Sequence, residues 1–283
     1  MFKRAQGVCR MSLIKSLRHP RTVLLLILLF IFMDYTLGGI RDFGRAFDVR
    51  VSLFEMLAQM FSNAKVQGGL ILFFAFLITD LPGTDLNEQY ILVRSGKLAW
   101  MAGKLGAVLI LSLIWLLVIV VYLVVIVWRL DLSTEWSRAM FTLAQTDVAD
   151  SYSVRMIFEN KVIINYSLSQ AVVLSIGLNW ALAVVGGIWA LLLNFISRRP
   201  VGSFVLAAAA FISMSIGGIL TSGAIYRISP VSLALLSVVN GGIEEAYPSL
   251  EYSLAFYGIA MLVGLGAVFL SVNLRKDYSR FQV

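Results

Sequence analysis

The sequence predicts an all-α, polytopic membrane protein with six transmembrane helices in a single membrane domain over residues 1–283. Hydrophobic residues make up 59% of the chain, charged residues only 14%, and the mean hydropathy is +0.87. A soluble domain is about 45–50% apolar. The apolar residues gather into runs that approach the ~20 residues needed to cross ~30 Å of hydrocarbon. Basic residues concentrate in alternate connecting segments, as expected for a chain that crosses a membrane repeatedly.

The first 21 residues predict an amphipathic elbow helix that lies on the membrane surface. They contain six basic residues and no acidic residue, and Leu13, Ile14 and Leu17 gather on one helical side. This pattern is typical of a helix on anionic lipid. A cleaved signal peptide is the competing interpretation, because a basic head precedes an apolar run. We reject it, since the head is too long and no small-residue cleavage site follows.

Six apolar runs are predicted to span the bilayer, at about residues 22–39, 63–79, 105–128, 168–195, 202–220 and 253–274. Between the first two spans, a stripe of Leu53, Leu57 and Met60 predicts a helix along the outer surface. Residues 229–240 are too short an apolar run to cross and too apolar to be dissolved. They predict a re-entrant or interfacial segment outside, between spans five and six.

The basic residues predict that both termini are cytosolic. With this orientation, the cytosolic segments contain 14 Lys and Arg against 4 acidic residues, and the external segments contain 8 against 11. The bias follows the positive-inside rule. The net charge of +7 therefore reflects membrane topology and gives no support to a nucleic-acid partner.

Two charged residues fall inside the predicted spans. Asp34 lies ~18 Å from the cytosolic start of span one and Lys65 lies ~22 Å from the cytosolic end of span two, at 1.5 Å per residue. An unpaired charge at such depth costs on the order of 2.5–3.5 kcal/mol on insertion scales. One hypothesis is an ion pair between Asp34 and Lys65. The alternative is that each side chain reaches the outer headgroups separately.

Several polar residues in the fourth and fifth spans are candidates for lining a substrate pathway. Polar side chains in a span tend to face protein or a water-filled path rather than lipid. Each of them has the alternative interpretation of a hydrogen bond between helices. The candidates are Gln170, Asn179, Ser213 and Ser215.

The chain carries no visible catalytic centre. It lacks a G-x-x-x-x-G-K-[ST] phosphate loop, an H-E-x-x-H zinc motif and a G-x-S-x-G nucleophile motif. A single cysteine, Cys9, and a single histidine, His19, exclude an internal disulfide and a cysteine or histidine metal cluster. We expect that the chain is not an enzyme and holds no cofactor.

The polar segment of residues 80–104 separates the second and third spans and predicts a short surface helix. Pro82 and Gly83 favour a turn. Thr84 or Asp85 can cap the helix, and the negative charge of Asp85 and Glu88 suits its N-terminus. An apolar stripe recurs at i, i+4 and i+7, formed by Leu86, Tyr90 and Val93. An ordinary short loop between spans is the alternative.

The order of turn, acidic helix and Gly-Lys-Leu resembles the loop between spans two and three of the ABC type-2 exporter permeases. The six-span layout extends the resemblance over nearly the whole chain. The residues that match in the loop are Gly83, Thr84, Glu88, Tyr90, Leu92, Arg94, Ser95, Gly103, Lys104 and Leu105.

This resemblance implies a membrane subunit of a bacterial ABC transporter in the cytoplasmic (inner) membrane. It implies a dimer of permeases, formed with a second copy or with a related permease, and cytosolic ATPase subunits that bind ATP and Mg²⁺. It also implies a broken helical hairpin outside, between spans five and six. The coupling helix that docks the ATPase would contain Thr84, Asp85, Leu86, Glu88, Gln89, Tyr90 and Arg94. The alternative function is a self-sufficient secondary transporter or channel, which would usually show paired internal repeats or a core acidic residue for ion coupling.

Overall fold

The computed structural model describes residues 1–82, 86–126, 132–146, 151–152, 154–219, 223–240 and 247–274. Most of these residues lie in helices, and none of them lies in a β-strand. The helices are α1 (Phe2–Arg18), α2 (Pro20–Ala46), α3 (Leu53–Ser62), α4 (Ala64–Leu77), α5 (Leu86–Ser95), α6 (Lys97–Ile126), α7 (Arg138–Gln145), α8 (Asn160–Asn165), α9 (Leu168–Ser197), α10 (Val201–Ile219) and α11 (Leu250–Leu274). Two 3₁₀ turns cover Gly223–Arg227 and Ser232–Ala234.

Four helices, namely α2, α6, α9 and α11, are long and apolar enough to cross a membrane. Helices α3 and α4 pass the same test only as a pair, which is bent by 86° at Asn63. The described residues therefore contain four candidate spans, or five if the bent pair is one span, and α10 is a shorter apolar helix. The protein is thus an all-helical chain with several apolar helices compatible with a multi-pass membrane protein.

Helix α9 lies at the centre of the fold and contacts α3, α6, α10 and α11. Small residues permit this central position, because they let neighbouring backbones approach closely. At Gly187, an added Cβ would lie 2.5 Å from the side chain of Val108 on α6. The N-terminus of α9 carries a capping box in which Ser167 and Gln170 exchange hydrogen bonds with each other's backbone N–H.

The predicted helix between the first two spans is present as α3, and it is buried within the fold rather than exposed. Every residue from Glu55 to Ser62 is buried. The polar side chains of this helix find partners in the loops that cover it. The Glu55 carboxylate accepts hydrogen bonds from the backbone N–H and the hydroxyl of Ser137, and the Gln59 amide oxygen accepts one from the Glu159 N–H at 2.8 Å. With these groups satisfied, no side of α3 needs to face solvent.

Residues 230–240, the buried loop, form an irregular segment enclosed by the helices. Most of their side chains are buried. Backbone carbonyl groups that lack helical partners are costly in an apolar environment. Here helix side chains satisfy several of them: Tyr257 donates to Pro230 at 2.6 Å, Gln67 to Val231 at 3.3 Å, and Asn179 to Ala234 at 3.3 Å. The described residues form 3₁₀ turns here and no regular helical hairpin.

The proposed ion pair between Asp34 and Lys65 is absent, so that hypothesis is wrong. The Asp34 carboxylate instead pairs with Arg41, two turns further along α2, at 2.6 Å. Lys65 is exposed in the first turn of α4, directly after the bend at Asn63. Arg41 lies on the same helix as Asp34 and neutralises its carboxylate, so Asp34 does not need Lys65 as a counterion.

Candidate functional site

The predicted helix in the polar segment between α4 and α6 is present as α5. Thr84 and Asp85, predicted to cap it and to dock a partner, lie outside the described residues, as do the side chains of Leu86 and Gln89. The site is therefore built from the second and third turns of α5 and from the residues that contact them.

Helix α5 is joined to α6 by the single residue Gly96. Gly96 has a φ of +84°, in the left-handed region that glycine enters without a steric penalty. Its N–H donates to the Leu92 carbonyl at 2.9 Å, and its own carbonyl accepts from the Trp100 N–H at 2.9 Å. Helical hydrogen bonding thus reaches the joint from both sides. No flexible linker separates α5 from α6.

A buried ion pair fixes the inner face of α5 to α6. The Glu88 carboxylate contacts the Lys104 ammonium, and its other oxygen accepts a hydrogen bond from the Trp100 indole N–H at 3.0 Å. The Lys104 side chain is 1% exposed. Its ammonium also lies 5.7 Å from the centre of the Trp100 ring, within range of a cation–π interaction. Glu88 was predicted to meet a partner protein, but its carboxylate is engaged inside the chain.

The outer face of α5 is open. Tyr90 is 77% exposed and Val93 is 79% exposed, and Arg94 beside them is exposed as well. Leu92 points the other way and is buried. One small helix therefore presents an aromatic ring, an aliphatic side chain and a cation on the same surface. An aromatic residue and an arginine are typical of the residues that dominate binding at protein interfaces.

An apolar cluster behind α5 joins it to four other helices. Leu92 and Trp100 pack with Val8 of α1 and Val272 of α11. The Trp100 ring lies 5.6 Å from the Phe195 ring of α9, measured between ring centres. Helix α5 is thus part of a packed apolar cluster that also includes side chains of α1, α6, α9 and α11.

Helix α1 packs against the first half of α6. At Gly103, an added Cβ would lie 2.7 Å from the Ala5 carbonyl oxygen, so the two backbones nearly touch there. The buried side of α1 is formed by Val8, Ser12 and Ser16. Ile14 and Leu17, on the side predicted to meet lipid, remain exposed in the isolated chain.

Polar contacts anchor the chain on the α4 side of the same region. Arg21, in the first turn of α2, pairs with Asp80 at 2.7 Å. The Asn194 amide of α9 donates to the Leu81 carbonyl at 2.8 Å and accepts from the Gly202 N–H at 2.7 Å. The ends of α2, α4, α9 and α10 are thereby held together next to α5.

The four candidate pathway residues do not line one common space. Gln170 is exposed and caps α9, and Ser215 donates to the Phe211 carbonyl of its own helix at 3.2 Å. Asn179 is fully buried, accepts a hydrogen bond from Gln67 at 3.0 Å and reaches the buried loop. Ser213 is hydrogen-bonded to Ser232 of that loop at 3.0 Å. Asn179 and Ser213 therefore hold the buried loop in place.

The sequence reasoning counted Lys104 only among the residues that match the permease loop and missed its pairing with Glu88. Trp100 and Gln67 were not among the predicted site residues. A lysine within an otherwise apolar run was the available signal for Lys104, since such a charge needs a partner. Within the described residues, no three His, Cys, Asp or Glu side chains are grouped so that they could hold a metal ion.

No protein-family model, curated protein or solved structure matches this chain.

Proposed function

We propose that the chain is the transmembrane permease subunit of an ABC exporter, which forms a substrate pathway as a dimer and is driven by separate cytosolic ATPase subunits. The observation that supports this most is the construction of α5. Its inner face is locked to α6 by a buried ion pair, while Tyr90 and Val93 on its outer face are open. A helix with this construction suits a coupling element, which must bind a moving partner and must not yield when it is pushed.

In this proposal, Tyr90 and Val93 enter a cleft of the ATPase subunit and Arg94 meets an acidic group at its rim. Closure of the ATPase subunits on ATP and Mg²⁺ displaces α5. Because Gly96 is the only residue between the two helices, α6 moves with α5. The contact between Trp100 and Phe195 carries the displacement to α9.

Helix α4 offers a second route from α5 to the opposite end of the molecule. It ends at the segment anchored by the Arg21–Asp80 pair, and near its start Gln67 donates to the Val231 carbonyl of the buried loop. We propose that the buried loop is re-entrant from the outer side and changes position when α4 moves.

The proposed topology has six spans and cytosolic termini. The spans are α2, the bent α3–α4 pair, α6, α9, α10 and α11, and α1 is an elbow helix on the inner leaflet of the bacterial cytoplasmic membrane. The Lys and Arg excess of the α1 segment and of the segments after α4, α9 and α11 supports this orientation.

Binding of an ATPase subunit tests the proposal. The purified chain would be combined with each ABC ATPase subunit of the same cell, and binding and ATP hydrolysis would be measured in lipid. The double variant Tyr90→Asp/Val93→Asp should weaken binding at least about thirty-fold, since the loss of a single interface hot spot costs about 2 kcal/mol or more.

Ile228→Asp is the matched control, because Ile228 is 79% exposed, as Val93 is, but lies in the segment between α10 and α11. Equal binding by the double variant and the control would refute the docking role of α5. A self-sufficient secondary transporter or channel would instead carry substrate across liposomes that contain no ATPase subunit.

A further inference from the structure

An apolar trough of about 710 Å³ runs between α9, α10 and α11. Residues on one face of each helix form its walls, from Leu182 to Leu193 on α9, from Gly202 to Ala209 on α10 and from Tyr252 to Val263 on α11. Pro230 and Val231 of the buried loop close one end. Helix α9 forms the floor, since it contacts both α10 and α11.

The walls of the trough offer an apolar surface. Its described lining residues include no charged side chain. The two polar side-chain groups that reach it are already satisfied, because the Trp189 indole N–H donates to the Ala260 carbonyl at 3.2 Å and the Tyr252 hydroxyl donates to the Arg227 carbonyl at 3.2 Å. A ligand in this trough would gain mainly from apolar burial.

The dimensions favour a slender occupant. The wall from Leu182 to Leu193 is about 16 Å long at 1.5 Å per residue. The volume of the trough, about 710 Å³, lies within the range of about 300–1,000 Å³ that is usual for small-molecule sites. An extended hydrocarbon chain fits this length and this volume.

Positive charge lies at the other end of the trough. Leu193 and Gly202 mark this end, and the turn that connects α9 to α10 between them contains Arg198 and Arg199. Both arginines are exposed. Basic residues between membrane helices are a common feature of sites for anionic lipid headgroups. An apolar trough that ends at two arginines matches the chemistry of an acyl chain attached to an anionic headgroup.

We infer that the trough binds one acyl chain of an anionic phospholipid, with the headgroup at Arg198 and Arg199. This binding is independent of any ATPase partner. The test is native mass spectrometry of the purified full chain, titrated with either phosphatidylglycerol or phosphatidylcholine. The wild-type chain should retain phosphatidylglycerol at least about ten-fold more strongly than phosphatidylcholine.

Two neighbouring residues of α10 provide matched variants. Ala209 lines the trough, whereas Ala208 is exposed and does not. Ala209→Trp should fill the trough and lower phosphatidylglycerol retention about ten-fold, and Ala208→Trp should change it less than about two-fold. Arg199→Gln should reduce the preference for phosphatidylglycerol, while Arg50→Gln, which replaces another exposed arginine, should not.

Equal retention by Ala208→Trp and Ala209→Trp, or equal retention of the two lipids by the wild-type chain, would overturn the assignment. Loss of dimer in Ala209→Trp with unchanged lipid retention would assign the trough to a second copy of the chain and would overturn it as well. A second measurement uses the wild-type chain, so it does not depend on the folding of a tryptophan variant. The part of the tryptophan fluorescence that Trp189→Phe removes belongs to Trp189, which lines the trough. Phosphatidylglycerol with brominated acyl chains should quench this part of the fluorescence, and absence of that quenching would contradict the proposal.

Discussion

Replacing Lys104 by methionine removes the cation that neutralises Glu88 at the joint between α5 and α6. The Glu88 side chain is 11% exposed, so its carboxylate would remain largely buried without a counterion. Breaking a buried ion pair by removing one partner costs about 3–5 kcal/mol. The Trp100 indole N–H, 3.0 Å from the carboxylate, would remain as a donor. We therefore expect the lower end of that range, about 3 kcal/mol.

Loss of the ion pair should weaken the packing of α5 on α6. The assay is therefore amide hydrogen exchange of residues 86–95 in the purified chain. A cost of about 3 kcal/mol corresponds to roughly 150-fold faster exchange, at ~1.4 kcal/mol per factor of ten. Arg94→Met is the matched control, because Arg94 is an exposed cation on the same helix. Its exchange should stay within about two-fold of the wild-type chain, as is usual for surface substitutions.

The double variant Glu88→Gln/Lys104→Met removes both charges and should recover most of the protection, since replacing a whole buried pair is often nearly neutral. Two results would refute the reasoning. One is a change of less than about five-fold in the Lys104→Met variant, and the other is exchange in the double variant that is as fast as in the single variant. In either case the ion pair would not be what holds α5 on α6.

Three further outcomes follow from local geometry. Gly103→Ala should force α1 away from α6 and raise the thiol-labelling rate of Cys9, whereas Gly106→Ala, whose new Cβ would lie 3.5 Å from the Cys9 sulfur, should leave it unchanged. Asn179→Leu should lower the free energy of unfolding by about 1–3 kcal/mol, because the buried Gln67 amide and the Ala234 carbonyl would each lose a hydrogen bond. Burial raises the pKa of Glu159, so its charge lowers the stability of the fold above that pKa, and the penalty is lost well below the unfolded-state pKa of about 4.3, where the carboxyl is protonated in both states. Glu159→Gln should therefore raise the melting temperature at pH 8 and leave it unchanged at about pH 3, more than one unit below that pKa.

Long apolar runs were predictable because their limits depend on local sequence. The fourth predicted span, about residues 168–195, nearly coincides with α9 (Leu168–Ser197). The apolar run of residues 229–240 could also be recognised as unsuited to solvent, and most of it is buried. In both cases the hydrophobic effect acts on composition and length, which the sequence displays directly.

The partners of polar residues were not predictable, because they depend on packing between distant segments. The resemblance placed Glu88 in a helix that docks a partner protein, but Glu88 pairs with Lys104 on the next helix, beyond a glycine joint whose angle the sequence does not reveal. The 86° bend between α3 and α4 was likewise not predicted, and the partners that cover α3, Ser137 and Glu159, lie about 80 and 100 residues further along the chain. The trough between α9, α10 and α11 depends on how three helices diverge, and it left no pattern in the sequence.

The proposed coupling role requires the open face of α5 to meet the cytosol, where an ATPase can reach it. Cys9 is the only cysteine, so a Cys9→Ser background carrying either Tyr90→Cys or Ile228→Cys allows labelling of single sites. With a membrane-impermeant maleimide, we predict that intact cells label the cysteine at position 228 and not the one at position 90, and that inside-out vesicles reverse the pattern. Labelling of position 90 in intact cells would contradict the account.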